Sequence, residues 1–131
     1  MSGSTTSLKA NNGYYWRVDP IGKMVSPNGT VTDDPYCRFT IAGSSIFSVG
    51  ASFYVGPGQG NQSAYLYATY QNAYAMGNMS GTVDNEANWI TIQFQLPNYQ
   101  FVVCDGNAIK IEDDMNMDPR TVFQCDPPFP S

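Results

Sequence analysis

The chain contains no histidine. That removes any Ser-His-Asp or Cys-His catalytic unit, and any zinc site that relies on imidazole. Charge is scarce as well. Charged residues make up 13% of the 131 positions, about half the usual share. The positive ones are Lys9, Arg17, Lys23, Arg38, Lys110 and Arg120, scattered along the chain. With a net charge of −5 and no basic patch to neutralise phosphates, binding to nucleic acid or to an anionic membrane is disfavoured. No apolar run approaches the ~20 residues that a bilayer-spanning helix needs. Met1-Ser2-Gly3-Ser4 opens a polar segment without the apolar region of an export signal. The expectation is a protein used without export, or a mature form with an added start.

Cysteine is sparse too. Cys37, Cys104 and Cys125 match no C-x-x-C spacing. Three readings stay open: reduced, partly buried thiols; a Cys104–Cys125 bridge with Cys37 left over; or an intermolecular bridge. Spacing alone does not choose among them.

What the chain does have is apolar and aromatic. Hydrophobic residues are 42% and aromatics 14%, too much for disorder. The length suits one domain. A chain of this size buries roughly two-thirds of its unfolded surface, enough for a core without staples. Gly, Ser, Thr, Asn, Gln and Tyr carry the polar surface. They hydrogen-bond readily and repel neighbours little.

The most legible stretch runs from Trp89 to Glu112. Apolar Ile90, Ile92, Phe94 and Leu96 alternate with Thr91, Gln93 and Gln95, the period of a strand with one buried face. Asp105-Gly106 fits a two-residue type I′ hairpin turn. That turn sets Val102 against Ile109 and Phe101 against Lys110. Val102, Ile109 and Ile111 then share one face, and Phe101, Val103 and Ala108 the other. Apolar residues on both faces mark Phe101–Val103 as interior to a sheet. Pro97-Asn98 cannot open a primed turn, so a longer loop is expected there.

Elsewhere the punctuation is regular. Tyr14–Val18 reads as a strand stopped by Asp19-Pro20. Val25–Thr30 reads as a hairpin turning on Pro27, Asn28 and Gly29. Tyr36–Ile41 reads as a strand. Ile46–Val55 reads as one alternating strand, with Phe47, Val49, Ala51, Phe53 and Val55 inward. Gly56–Asn61 is a glycine loop that matches no phosphate-binding motif. Ser63–Met76 fits either a strand or a helix capped by Ser63 and Gly77; the tyrosines favour the strand. Asn78–Asn88 and Asp113–Pro119 read as loops, and Thr121–Cys125 as the last strand.

Candidate chemistry is thin. Asp114-Met-Asn116-Met-Asp118 opens like a calcium loop, but the sixth position is Pro119 and the twelfth Cys125. A different calcium site on the acidic loop Glu112–Asp118 is the residual option against a solvated loop. Glu86 and Glu112, with nearby aspartates, are the material for a glycosidase-type carboxylate pair. Asn28, Asn61 and Asn78 head glycosylation triplets at about the frequency chance gives. Tyr65, Tyr67, Tyr70 and Tyr74, with Trp89, could form an aromatic surface. Such a surface suits sugar rings, and equally a protein interface.

The expectation is therefore a single all-β domain: an antiparallel sandwich, jelly-roll-like, or a barrel of about eight strands. It has a core over residues 13–125, an N-terminal arm over 1–12 and a Pro-rich C-terminal arm over 126–131. The functional expectation is a non-catalytic subunit without cofactor or metal. It would work by self-association or in a larger protein assembly, of the virion, capsid-decorating or filament type, with the arms reaching its neighbours. The alternative is a lectin-like module that binds a glycan on the Tyr/Trp surface.

Overall fold

The computed structural model describes residues 5–42, 45–75, 78–83, 89–96, 100–113 and 119–129. These residues form two antiparallel sheets. The small sheet has four strands in sequence order: β4 (Phe39–Ala42), β5 (Ser45–Ser48), β6 (Phe53–Pro57) and β7 (Leu66–Tyr70). The large sheet has eight: β1 (Ser7–Lys9), β2 (Tyr15–Val18), β3 (Val25–Gly29), β8 (Asn78–Val83), β9 (Trp89–Leu96), β10 (Gln100–Asp105), β11 (Ala108–Asp113) and β12 (Phe123–Phe129). Its order is β11-β10-β9-β12-β1-β2-β3, with β8 also on β9.

The large sheet forks at β9. Thr91 pairs with both Thr82 and Gln124, so β8 and β12 lie on opposite edges of β9. Gln95 pairs with both Asn78 and Phe101, so β10 shares the edge used by β12, further along. Beyond the fork, the β10–β11 turn comes round to β3. Asn12 Nδ2 donates both to the Pro27 carbonyl of β3 and to the Gly106 carbonyl of that turn, at 2.9 and 3.1 Å. No ladder joins β3 to β11, so the fold is an open sandwich and not a closed barrel.

Both sheets close on one core. Trp16 sits at its centre, its ring 4.9 Å from Phe123, 5.7 Å from Phe94 and 5.9 Å from Phe39. Leu8, Val18, Val25, Ile41, Ile46, Val55, Leu66, Ile92, Val102 and Ile109 complete the packing, each 5% exposed or less. On β9 the alternation holds: Ile92, Phe94 and Leu96 are buried, Thr91 and Gln93 half-buried. Phe101, Val102, Val103 and Cys104 are all buried, as expected for a strand covered on both faces.

Several expectations need correction. The β10–β11 turn uses Gly106-Asn107, with Asp105 opposite Ala108 and Val102 opposite Ile111. Gly106 takes φ +63 while Asn107 stays negative, the II′ pattern that favours glycine first. The register moves by two residues, so every side chain keeps its face. Val25–Thr30 is not a hairpin: Val25–Gly29 is the strand β3, with Pro27 opposite Trp16. Proline is tolerated because β3 ends the sheet and has a ladder on one side only. The hairpin turn lies earlier, at Pro20–Lys23. Tyr36 belongs to a 3-10 turn, Pro35–Cys37, capped by the Asp34 carboxylate, before β4 begins.

Ile46–Val55 is two strands, not one. Val49–Ser52 is a four-residue turn, and Phe47 faces Tyr54 across it. Ile46 and Ser48 therefore point inward at 0% exposure, and Val49 points outward at 37%. Asn78–Val83, expected as loop, is the strand β8; residues 84–88 lie outside the described residues. The last strand begins at Phe123, after a 3-10 turn at Pro119–Thr121, and continues to Phe129.

The expected arms are sheet strands in their described parts. Ser7 pairs with Asp126, Leu8 with Cys125 and Lys9 with Gln124, so the described parts of both arms lie within the large sheet. Arg38 fastens them further. Its Nε and Nη2 donate to Thr5 Oγ1 at 3.1 and 2.6 Å, and Nη2 also to the Thr5 carbonyl at 3.0 Å. Residues 1–4 and 130–131 lie outside the described residues. The three cysteines are buried thiols in no disulfide among the described residues.

Candidate functional site

The small sheet contains no charged residue in any of its four strands. Its inner face is ordinary core: Phe39, Ile41, Ile46, Val55, Leu66 and Ala68. Its outer face is aromatic, and the register shows how. Cross-strand partners share a face, and one row crosses all four strands: Thr40, Phe47, Tyr54, Tyr70. The pairing skips Thr69 between Tyr54 and Val55, and this bulge brings Tyr70 onto the same face as Tyr67. Tyr67 lies opposite Gly56 in the next row.

All of these aromatic side chains are half-buried. The Phe47 and Tyr54 rings meet edge to face at 5.0 Å. Tyr70 packs against Tyr74 at 4.8 Å. Glycines lie beneath the rings: a Cβ on Gly56 would come within 2.6 Å of Tyr70, and one on Gly58 within 2.7 Å of Tyr67. The rings thus lie flat on the backbone. Their hydroxyls are anchored within the chain. Tyr70 donates to the Pro57 carbonyl at 2.6 Å, and Tyr67 to Gln62 Oε1 at 3.2 Å. Burial raises the Tyr70 pKa, as does the nearby Tyr74, so its hydroxyl keeps its proton through the physiological range.

Beside this face is a cleft of about 400 Å³, lined by Pro57, Ser63, Ala64, Tyr74, Leu96, Gln100 and Ile111. Tyr74 thus borders the aromatic face and the cleft together. Among the described lining residues none is charged.

Of the residues singled out from sequence, Tyr67, Tyr70 and Tyr74 come together here. Tyr65 precedes β7 and bridges to Lys110 of β11, whose ammonium lies 6.0 Å from its ring centroid. Trp89 opens β9, in the other sheet. Phe47 and Tyr54 belong to the face, but the single-strand reading of Ile46–Val55 pointed Phe47 inward. One sequence signal would have found the whole region. Between Arg38 and Asp84 the chain carries no charged residue at all. That segment supplies β4 to β8.

Of the remaining candidates, Glu112 is paired with Arg120 at 3.4 Å. Glu86 and Asp114–Asp118 lie outside the described residues. Among the described residues no three His, Cys, Asp or Glu side chains are grouped to hold a metal, and no helix is long and apolar enough to cross a membrane. Comparison with known families finds no family model that matches the chain, and no curated protein matches it.

Proposed function

We propose that this protein is a non-catalytic assembly subunit of the capsid-decorating or filament type, and that copies associate through the outer face of the small sheet. One observation carries the reading: a whole sheet without charge presents an aromatic row to solvent. Depletion of charge with enrichment of Tyr and Phe is the composition of an interface centre. Rings already anchored by hydroxyl bonds and packed over glycine lose little freedom on docking, which lowers the entropic cost of association. The described parts of the arms are strands of the subunit's own sheet, so this reading puts the contact on the aromatic face instead.

The test is Phe47→Thr combined with Tyr54→Thr. Threonine keeps strand propensity while removing the rings. The parent should grow in mass with concentration, and the double variant should grow far less, with far-ultraviolet circular dichroism unchanged. A parent that stays at 14.4 kDa at every concentration contradicts the reading.

A second reading, a glycan-binding module, is favoured by the cleft. An aromatic wall at Tyr74 beside the Gln100 amide and the Ser63 hydroxyl, without charge, suits a neutral sugar ring. A glycan array supports it if hits are lost in Tyr74→Ala, and removes it if the parent gives no hits.

A further inference from the structure

An antiparallel sheet is sticky at its edges, where backbone N–H and C=O groups lack partners, and natural proteins cover or charge those edges. Here the edges can be compared one by one. β4 is covered by Thr6, which exchanges two backbone hydrogen bonds with Phe39, both 2.9 Å. β7 and its approach are covered by Met24 and Lys110, through bridges to Tyr67 and Tyr65. The same bridges cover β3 and β11, whose edges gain backbone bonds from Ala68 N to Lys23 O at 2.9 Å and from Ile111 N to Ala64 O at 2.8 Å. β3 also carries Pro27, and β11 carries Lys110 and Glu112, residues that blunt an edge.

Among the described residues β8 has none of these protections. Among the described residues it pairs with β9 alone, over its full length from Asn78 to Val83. Its sequence, Asn-Met-Ser-Gly-Thr-Val, contains no charge and no proline. Its ladder to β9 runs in unbroken register from Asn78 to Thr82 and shifts only at Val83, so an added strand would meet five regular residues.

We infer that β8 is the edge on which a second copy of this chain adds its own β8, antiparallel, so that two large sheets become one across a two-fold axis. This inference rests on the assembly reading above and names a contact in addition to the aromatic face. The occupant is a second copy because an uncharged edge meets its own image without repulsion, and because a two-fold antiparallel pair is self-complementary. A two-fold axis sets a residue opposite itself. Centring on Ser80 or on Gly81 keeps most of the strand paired. In either register Ser80 and Thr82 fall opposite Ser80 or Thr82, or opposite Asn78. A subunit with two separate self-complementary contacts propagates into a linear polymer, consistent with the filament type.

Two double variants test the edge: Ser80→Lys with Thr82→Lys, and Ser80→Glu with Thr82→Glu. In the ladder these positions lie opposite Gln93 and Thr91, both neutral. With Ser80 at the axis lysine meets lysine there; with Gly81 at the axis it does so twice. Such like-charge pairs oppose association. Each variant alone should lose the β8 contact, seen in sedimentation as a tenfold or greater weakening of association. An equimolar mixture should restore it, because lysine then meets glutamate. Rescue on mixing cannot come from unfolded chains.

If each variant associates like the parent, the β8 inference is overturned and the assembly reading stands. If association is lost and mixing does not restore it, self-pairing is overturned. A parent that never associates overturns both. If the Phe47→Thr, Tyr54→Thr variant still forms a dimer that the β8 charges abolish, the two contacts are separate, as inferred.

Discussion

Trp16 Nε1 is buried without a hydrogen-bond acceptor among the described residues, within a shell of phenylalanine rings. An unpaired buried donor costs about 1–3 kcal/mol, so the indole is held for its bulk rather than its polarity. Trp16→Phe removes the donor and keeps an aromatic body; Trp16→Ala leaves a cavity. We expect the alanine variant to lose about 3–5 kcal/mol, and the phenylalanine variant less than half of that, in urea unfolding. Equal losses would show that the N–H is satisfied. The thiols make a second test. Burial first, then the Asp34 carboxylate, pushes the Cys37 pKa from its ordinary 9.0 up to about 11. Burial also raises Cys104, and the hydrogen bond to Asp126 raises Tyr15. A raised pKa means the fold keeps a proton that the unfolded chain releases. This contribution is complete below pH 9, shrinks above it, and for Cys37 is gone past about pH 11. Stability should therefore fall between those values, and less steeply in Cys37→Ala. A thiol-specific reagent at pH 8 should leave all three cysteines of the native protein untouched and label them in denaturant.

Elements differ in how plainly the sequence marks them. The three strands between Trp89 and Asp113 were legible because alternation, a glycine turn and a doubly apolar strand all agree. The β5–β6 hairpin was not. Its turn, Val49-Gly50-Ala51-Ser52, continues the alternation of the strands on either side. The residue that takes positive φ is Ser52, at +60, where glycine would have announced the turn. The β2–β3 turn repeats this construction. Lys23 takes φ +67, and its N–H bonds back to Asp19 as that of Ser52 does to Ser48. Asp19 and Ser48 each accept a further backbone N–H through their side chains, from Ile21 and Ala51. Arms were expected because short polar runs look unpaired, whereas tertiary pairing makes their described parts strands. β1 lies between β12 and β2, with Leu8 fully buried. Deleting residues 1–12 should therefore abolish the cooperative unfolding transition, as read by circular dichroism on heating. A deletion that melts like the parent would contradict this placement. Arg38→Ala, which removes the guanidinium bonds to Thr5, should cost about 1–3 kcal/mol and speed amide exchange in Ser7–Lys9.

At the scale of the whole molecule, charge is distributed unevenly. The charged residues lie before Phe39 and after Val83 in the sequence, and the two surfaces assigned to assembly, the outer face of the small sheet and the β8 edge, come from the segment between them. Overall composition showed that charge is scarce; only its position along the chain shows where it is missing. The tyrosine cluster was partly readable from spacing, while Phe47 and Tyr54 required the register of a hairpin that alternation concealed. The most direct measurement is sedimentation equilibrium of the parent and the Phe47→Thr, Tyr54→Thr variant over a wide concentration range. The parent's mass should rise well above 14.4 kDa, and the variant's should rise far less. A parent that remains a monomer throughout, or a variant that assembles equally well, contradicts the account.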